Sequence, residues 1–266
     1  LLGKYDAAKR HFSKNKALFM QANDLRGVAW SVRNLGIIAY VLGDYEQARS
    51  YYEESLALAL ARQDINAQAK SLNNLGLLAY EMGDFAKARQ YYQESLHLTQ
   101  KVGDRFMEGR IRNNLGLIAY ELGQYSQALA AIEESIRINH EVGDRFMEAG
   151  GLSNLGLLYT QVGLYTQAIE AYHRSLAIAQ TTGDRISEAG GLSSLGIAML
   201  GQGDIEQAEI YCQAGLTIGR ELEYPQLEAS VWVERARVAQ ARQSWEEALA
   251  FYTQGYTIWQ SLNNVG

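Results

Sequence analysis

Residues 73–92 read NNLGLLAYEMGDFAKARQYY, and the phrase decides how the rest of the chain is read. Forty residues earlier stands RNLGIIAYVLGDYEQARSYY at 33–52, and forty later NNLGLIAYELGQYSQALAAI at 113–132. Glycine follows leucine at 36, 76, 116, 156 and 196, and a second glycine series falls at 43, 83, 123, 163 and 203. Alanine recurs at 8, 48, 88, 128, 168, 208 and 248, so the period of 40 residues never slips. Self-similarity at such a period is the mark of a solenoid, in which each unit buries its apolar face against its neighbours.

Within residues 64–103 the apolar spacing predicts two helices. Asp64 is placed to cap the first, whose Leu72, Leu75, Leu78, Ala79 and Met82 recur at helical spacing. Gly83 ends it, because glycine adopts positive φ without steric cost. Asp84 then caps the second, which carries Ala88, Tyr91, Tyr92, Leu96 and Leu98 up to Gly103. The triplet GDR at 103–105, 143–145 and 183–185 is therefore punctuation: glycine stops one helix and aspartate starts the next. Asp44 with Gln47 and Asp204 with Gln207 fit capping boxes. Gly76 and its equivalents fall in mid-helix, where glycine costs about 1 kcal/mol relative to alanine. Close approach of the two helices of a unit explains them, with the recurring alanine (48, 88, 128 and onward) as the expected facing residue.

The bulk numbers exclude several classes. Of 266 residues 47% are hydrophobic and 20% charged, as in ordinary folded proteins. A net charge of −6 without a basic tract argues against direct binding of nucleic acid, and no apolar run is long enough to span a membrane. Charge is uneven: residues 1–133 carry 16 Lys+Arg against 14 Asp+Glu, and residues 134–266 carry 8 against 16. The single cysteine, Cys212, rules out an internal disulfide and suits a reducing, cytoplasmic compartment.

The pattern of leucine-glycine, alanine twelve residues on and an aromatic four further resembles the tetratricopeptide repeat (TPR). Here it reads Leu75-Gly76, Ala88, Tyr92, and likewise Leu35-Gly36, Ala48, Tyr52. The chain looks most like the long 40-residue variant with GDR junctions, similar to Pins-type adaptors and to the TPR arms of bacterial signalling regulators. The resemblance implies an all-α, right-handed superhelical solenoid of antiparallel helix pairs, first helices lining its concave face. One solenoid is expected over 1–266, with an orphan second helix at 1–23 and helix pairs at 24–63, 64–103, 104–143, 144–183, 184–223 and 224–263. The family's late proline is replaced by Leu60, Gln100, His140, Gln180, Arg220 and Gln260, so each second helix runs on. The only proline, Pro225, suits a helix start, and Arg235-Ala236 replaces leucine-glycine in an atypical last unit. Because LLGKYDAAKRHF at 1–12 matches the close of one helix and all of the next, the chain is expected to be a piece of a longer protein.

The family pattern places Asn34, Asn74, Asn114 and Asn154 on the concave surface, then Ser194 and Glu234. Arg33, Asn73 and Asn113 precede them, Trp30, Lys70 and Arg110 lie upstream, and Tyr40, Tyr80 and Tyr120 sit just past the centre. An amide has both donor and acceptor, so a ladder of them can pair with an extended peptide backbone whatever its sequence. In related peptide-binding repeats asparagines at this position do grip ligand backbone, which is what the resemblance implies here. Arg33, Lys70 and Arg110 would select acidic groups, and the tyrosines would add apolar contact with a polar tip. The same amides could instead bond to a neighbouring helix and stiffen the stack. Gly-Gly at 150–151 and 190–191 would let a ligand or a helix approach closely.

No phosphate-cradling G-x-x-x-x-G-K-[ST] loop occurs. His11, His97, His140 and His173 are scattered over second helices with no i+3 or i+4 pairing, so no metal site or cofactor is expected. Cys212 takes the aromatic position of its unit, as a packing residue. Glu53-Glu54 and Glu133-Glu134 point in different directions round a helix, and no catalytic residues are expected. The leading function is a protein-interaction scaffold holding an extended, acidic peptide or partner segment in its groove. The alternative is a sensor arm of a larger cytoplasmic ATPase or transcription regulator. An unpaired first helix and an uncapped last helix with Tyr252, Tyr256 and Trp259 are expected to leave apolar ends that allow end-to-end self-association.

Overall fold

The computed structural model describes residues 2–263, with Leu1, where the expected orphan helix begins, outside them. The described residues form thirteen helices. They are α1 (Leu2–Gln21), α2 (Leu25–Val41), α3 (Tyr45–Ala61), α4 (Ile65–Glu81), α5 (Phe85–Val102), α6 (Arg105–Glu121), α7 (Tyr125–Val142), α8 (Arg145–Gln161), α9 (Tyr165–Thr182), α10 (Arg185–Gln202), α11 (Ile205–Glu221), α12 (Pro225–Ala241) and α13 (Trp245–Asn263). The chain divides into two compact units, Leu1–Ile138 and Asn139–Gly266. In the first, α2 packs on α3 and α4 on α5, with α2, α4 and α6 neighbours in turn. In the second, α8 packs on α9, α10 on α11 and α12 on α13, with α8, α10 and α12 in turn. The architecture is an all-α solenoid of helix pairs, and no helix among the described residues is long and apolar enough to cross a membrane.

Turn chemistry sets the helix ends. Asp44, Asp64, Asp84, Asp104, Asp144, Asp184 and Asp204 each accept a hydrogen bond from the backbone N–H three residues on, satisfying a donor the helix leaves orphaned. Gly43, Gly83, Gly103, Gly123, Gly143, Gly163, Gly183 and Gly203 all take positive φ at the preceding stops. Where the period lacks its glycine, another residue is forced into the same region: Asn23 (φ 53°), Gln63 (53°), Glu223 (49°) and Gln243 (62°).

The mid-helix glycines face a different partner from the one expected. A Cβ on Gly36 would stand 2.6 Å from the Tyr52 ring, on Gly76 2.8 Å from Tyr92, and on Gly156 2.6 Å from Tyr172. The corresponding atoms are Ile132 Cγ1 for Gly116 (2.6 Å) and Cys212 Sγ for Gly196 (2.5 Å). The glycine thus makes room for the large residue one turn past the alanine. The alanine contributes its backbone, with the Ala128 and Ala208 carbonyl oxygens at 3.3 and 3.0 Å. The rings that fill these slots are almost wholly buried, Tyr52 at 2% and Tyr92 at 1% exposure. Cys212, wholly buried in its slot, has its thiol pushed up to about 12 by burial and then by Glu234 and Glu209 nearby. Beyond the adjacent residues and the backbone of its own helix, nothing described lies within 4 Å of a Cβ at Gly150 or Gly190, so close packing of a neighbouring helix does not explain those two.

A serine series, unnoticed in the sequence, pins the pairs together. Ser55, Ser95, Ser135 and Ser175 donate to the backbone carbonyls of Ala29, Ala69, Gly109 and Ala149 at 3.2, 2.7, 2.7 and 2.8 Å. In the fifth and sixth pairs glycine takes the place of serine. A Cβ there would lie 2.9 Å from the Ala189 oxygen (Gly215) or 3.0 Å from the Ala229 oxygen (Gly255), so the backbones close up instead. The GDR arginines also do more than mark a junction. Arg105 and Arg145 each donate at 2.6 Å to Glu108 and Glu148, carboxylates only 5% exposed, and Arg185 pairs likewise with Glu188. Burial raises the Glu108 pKa, but hydrogen bonds from Gln100, Arg112 and Arg105 outweigh it and hold the carboxyl below its ordinary value. In the last pair Arg235, in place of leucine, lies over the Trp232 and Phe251 rings and bonds Glu209, which keeps a charge tolerable at a core position.

Candidate functional site

The candidate residues of the first unit lie on the row formed by α2, α4 and α6. Asn34 and Arg33 belong to α2, Asn73 and Asn74 to α4, Asn113 and Asn114 to α6, all half-buried. Asn154 belongs to α8 in the second unit. The four amides differ in what already holds them. Asn34 donates to the Trp30 carbonyl of its own helix at 2.7 Å, and Asn114 shares a hydrogen bond with the buried Tyr92. Asn113 and Asn154 are engaged within the fold. Asn74 makes no hydrogen bond with the described residues, and the buried Oδ1 of its neighbour Asn73 accepts none.

The tyrosines run along the same row. Tyr40 donates from α2 to Glu81 of α4 at 3.1 Å, and Tyr80 from α4 to Glu121 of α6 at 3.3 Å. Burial, then the adjacent glutamate charge, raises the pKa of all three: Glu81 acts on Tyr40, and Glu121 on both Tyr80 and Tyr120. Their hydroxyls therefore remain protonated donors, and in two units that donor is occupied between helices.

The cations are arranged otherwise. Trp30, Arg33 and Lys70 come together on one pocket of about 190 Å3, whereas Arg110 is exposed and outside its lining. Arg26 and Arg62, not anticipated from the sequence, complete the wall with Asp64 and Asn66. Arg62 donates through Nη2 to Asp64 Oδ2 at 3.2 Å, while its buried Nη1 has no acceptor. Neither Arg33 nor Lys70 makes an ion pair or side-chain hydrogen bond with the described residues. Burial lowers the Arg33 pKa, with Asp64 and Tyr52 acting against it, as befits a guanidinium half withdrawn from water without a bonded anion. The signal for the two missed arginines was a break in the period. Position 62 is Val102, Val142, Thr182 and Leu222 in later units, and position 26 is Asn66, Phe106, Phe146 and Ile186.

Stacked helix pairs joined by capped turns, with a glycine slot for one large side chain per pair, define an α-solenoid repeat protein. The chain belongs to the tetratricopeptide repeat family, whose model matches residues 1–61, 67–139 and 148–221. Among curated proteins none matches it by sequence. Solved structures share its fold at low identity. Aspartyl phosphate phosphatase F from Bacillus subtilis is 14% identical over 97% of this chain and 68% of its own, with a TM-score of 0.79. A Rap protein complexed with competence and sporulation factor is 12% identical over 97% of this chain and 86% of its own, at 0.71. A signal transduction ATPase with numerous domains and a tetratricopeptide repeat sensor, from Pyrococcus horikoshii, is 15% identical over 94% of this chain and 42% of its own, at 0.71.

Proposed function

We propose that this chain is a protein-interaction scaffold without catalytic activity of its own, and that an extended acidic peptide lies along α2, α4 and α6. The observation carrying this reading is a row that holds Arg33, Lys70 and Arg110 with no anion bonded to any of them among the described residues. Asn74 supplies a free donor and acceptor beside them. Asn34 and Asn114 reach a ligand only by exchanging the hydrogen bonds they now make, so they contribute less per residue than a free amide. The solved Rap protein in complex with competence and sporulation factor supports the reading by fold alone. A cytoplasmic setting fits the lone buried thiol of Cys212. Titrating labelled acidic, neutral and basic peptides of equal length, read by fluorescence anisotropy at two salt concentrations, tests the proposal. Acidic peptides should bind tightest and weaken with salt, and the pair Asn74→Ala with Asn114→Ala should cost about 2 kcal/mol or more. Equal affinity for all three peptides would refute it.

The likeness to the repeat sensor of the Pyrococcus horikoshii ATPase favours a second reading, a sensor arm within a larger signalling protein. Under it the row would hold a regulatory ligand or a segment of the same protein. End-to-end self-association is a separate proposal, motivated by Tyr256 (62% exposed) and Trp259 (41%) on α13. Sedimentation over a range of concentrations tests it, and a constant monomer mass would exclude it.

A further inference from the structure

We infer that the pocket between α2, the end of α3 and the start of α4 is a receptor for a dianionic phosphoryl group. The inference rests on the proposed ligand-binding role of the α2–α4–α6 row, and it names the chemistry at one end of that row.

Four cationic side chains, Arg26, Arg33, Arg62 and Lys70, line this pocket against one carboxylate, Asp64. That carboxylate is already committed, accepting from Arg62 and from the Ala67 backbone N–H at 3.0 Å. What remains is an excess of positive charge and of unused donors. Arg62 Nη1 is buried with no acceptor, and Arg33 is half-buried with none. A buried donor left unsatisfied costs about 1–3 kcal/mol, more when charged, so a ligand that accepts from it gains that amount back. Asn66, on the first turn of α4, adds an amide donor, and that helix start adds partial positive charge.

The chemistry discriminates between anions. A carboxylate brings one charge, whereas a phosphomonoester brings about −1.5 to −2 at neutral pH and three strong acceptor oxygens. Guanidinium forks pair with phosphate bidentately, and three arginines line this pocket. A pocket of about 190 Å3 has room for about six waters, enough for one phosphoryl group with residual solvent. Trp30, 45% exposed at the rim, offers an apolar surface to whatever carries the group. The cluster is not part of the repeat frame. One period on, positions 66, 73, 102 and 110 are Asn, Asn, Val and Arg, so stacking does not require cations here.

Calorimetric titration of the full chain with inorganic phosphate, near neutral pH and at constant ionic strength, tests the inference, with acetate as the monoanion. Phosphate should bind, acetate should bind about tenfold more weakly, and Arg62→Gln should weaken phosphate by about tenfold. Should Arg62→Gln fail to fold by circular dichroism, Lys70→Gln, at a half-buried position without partners, carries the same expectation. Two peptide arms separate the sources: an acidic peptide and its phosphoserine twin. Tighter binding of the twin, lost in the variant, assigns a phosphorylated partner chain, and phosphate binding without that preference assigns a free phosphorylated small molecule. Equal heats for phosphate and acetate, or unchanged phosphate affinity in a folded variant, would overturn the inference. Failure of both peptides with phosphate still bound would instead sink the peptide-binding reading and leave the pocket standing.

Discussion

Gly150 and Gly156 stand on the same helix, α8, six residues apart, and the same substitution at each should move stability in opposite directions. Alanine is favoured over glycine in a helix interior by about 1 kcal/mol. At Gly150 nothing lies within 4 Å of the added Cβ, so Gly150→Ala should gain most of that, about 0.5–1 kcal/mol. At Gly156 the Cβ would stand 2.6, 2.7 and 2.7 Å from three atoms of the Tyr172 ring, well inside the 3.5–4.0 Å at which carbon atoms rest. Tyr172 is 3% exposed and packed in a cluster with Ala168, Leu176 and Leu195, so its ring has nowhere to retreat. Overpacking costs about 1–3 kcal/mol, and contacts this short against a fixed ring belong in the upper part of that range, about 2–3 kcal/mol, so after the propensity gain Gly156→Ala should lose about 1–2 kcal/mol net. Urea denaturation followed by circular dichroism should place the two variants about 1.5–3 kcal/mol apart, on either side of the parent. If Gly156→Ala proved as stable as the parent or better, the slot would be slack, and close packing would not explain the leucine-glycine repeat.

Three further outcomes follow from the turns, the junction carboxylates and the serine series. Gln243→Gly should stabilise by about 0.5–1 kcal/mol, since a φ of 62° strains any residue with a Cβ and glycine holds the matching turns at Gly43 and Gly83; a loss in thermal denaturation would contradict this. Glu108→Gln should cost about 1–3 kcal/mol near neutral pH by removing charged bonds to Arg105 and Arg112. Because the Glu108 pKa is lowered in the folded state, its stabilisation is present above the ordinary carboxylate pKa of 4.5 and is lost as pH falls through the lower folded value. The difference between parent and variant should therefore shrink in acid, and a constant difference would argue against it. Ser95→Ala should cost about 0.5–1.5 kcal/mol, whereas Gly215→Ser should be worse, because its Cβ meets the fixed Ala189 oxygen at 2.9 Å. Equal effects in chemical denaturation would show that the two glycine pairs are no closer than the serine ones.

What the period encodes was readable; what a single position does once was harder. Asp84, Gly83 and Ala88 recur in register, and each does locally what its chemistry dictates at a helix end or a crossing. The partner of Gly76 was misread because spacing tells which residues share a face, not which atom of the facing helix arrives first. That atom belongs to Tyr92, whose ring outreaches Ala88 by one turn. The serines at 55, 95, 135 and 175 recur in register through four pairs, yet their small polar side chains look like a solvated face. Only the 26-residue reach to a carbonyl on the preceding helix reveals the bond.

The amides of the candidate row show the limit of a family position as evidence. Asn34, Asn74 and Asn114 hold the same register, but one bonds its own helix, one a buried tyrosine and one nothing described. Identical placement leaves the partner open, because an amide that can pair with a peptide can pair as well with whatever the next helix presents. The departures carry more information about binding than the repeats do. Later units carry apolar or neutral residues at the position of Arg62 (Val102, Val142, Thr182 and Leu222), so stacking does not require a cation there, and Arg62 buries a guanidinium nitrogen that the fold leaves without an acceptor. A buried, half-paired arginine at this junction, beside Arg33, Arg26 and Lys70, is what supports the proposed anion site.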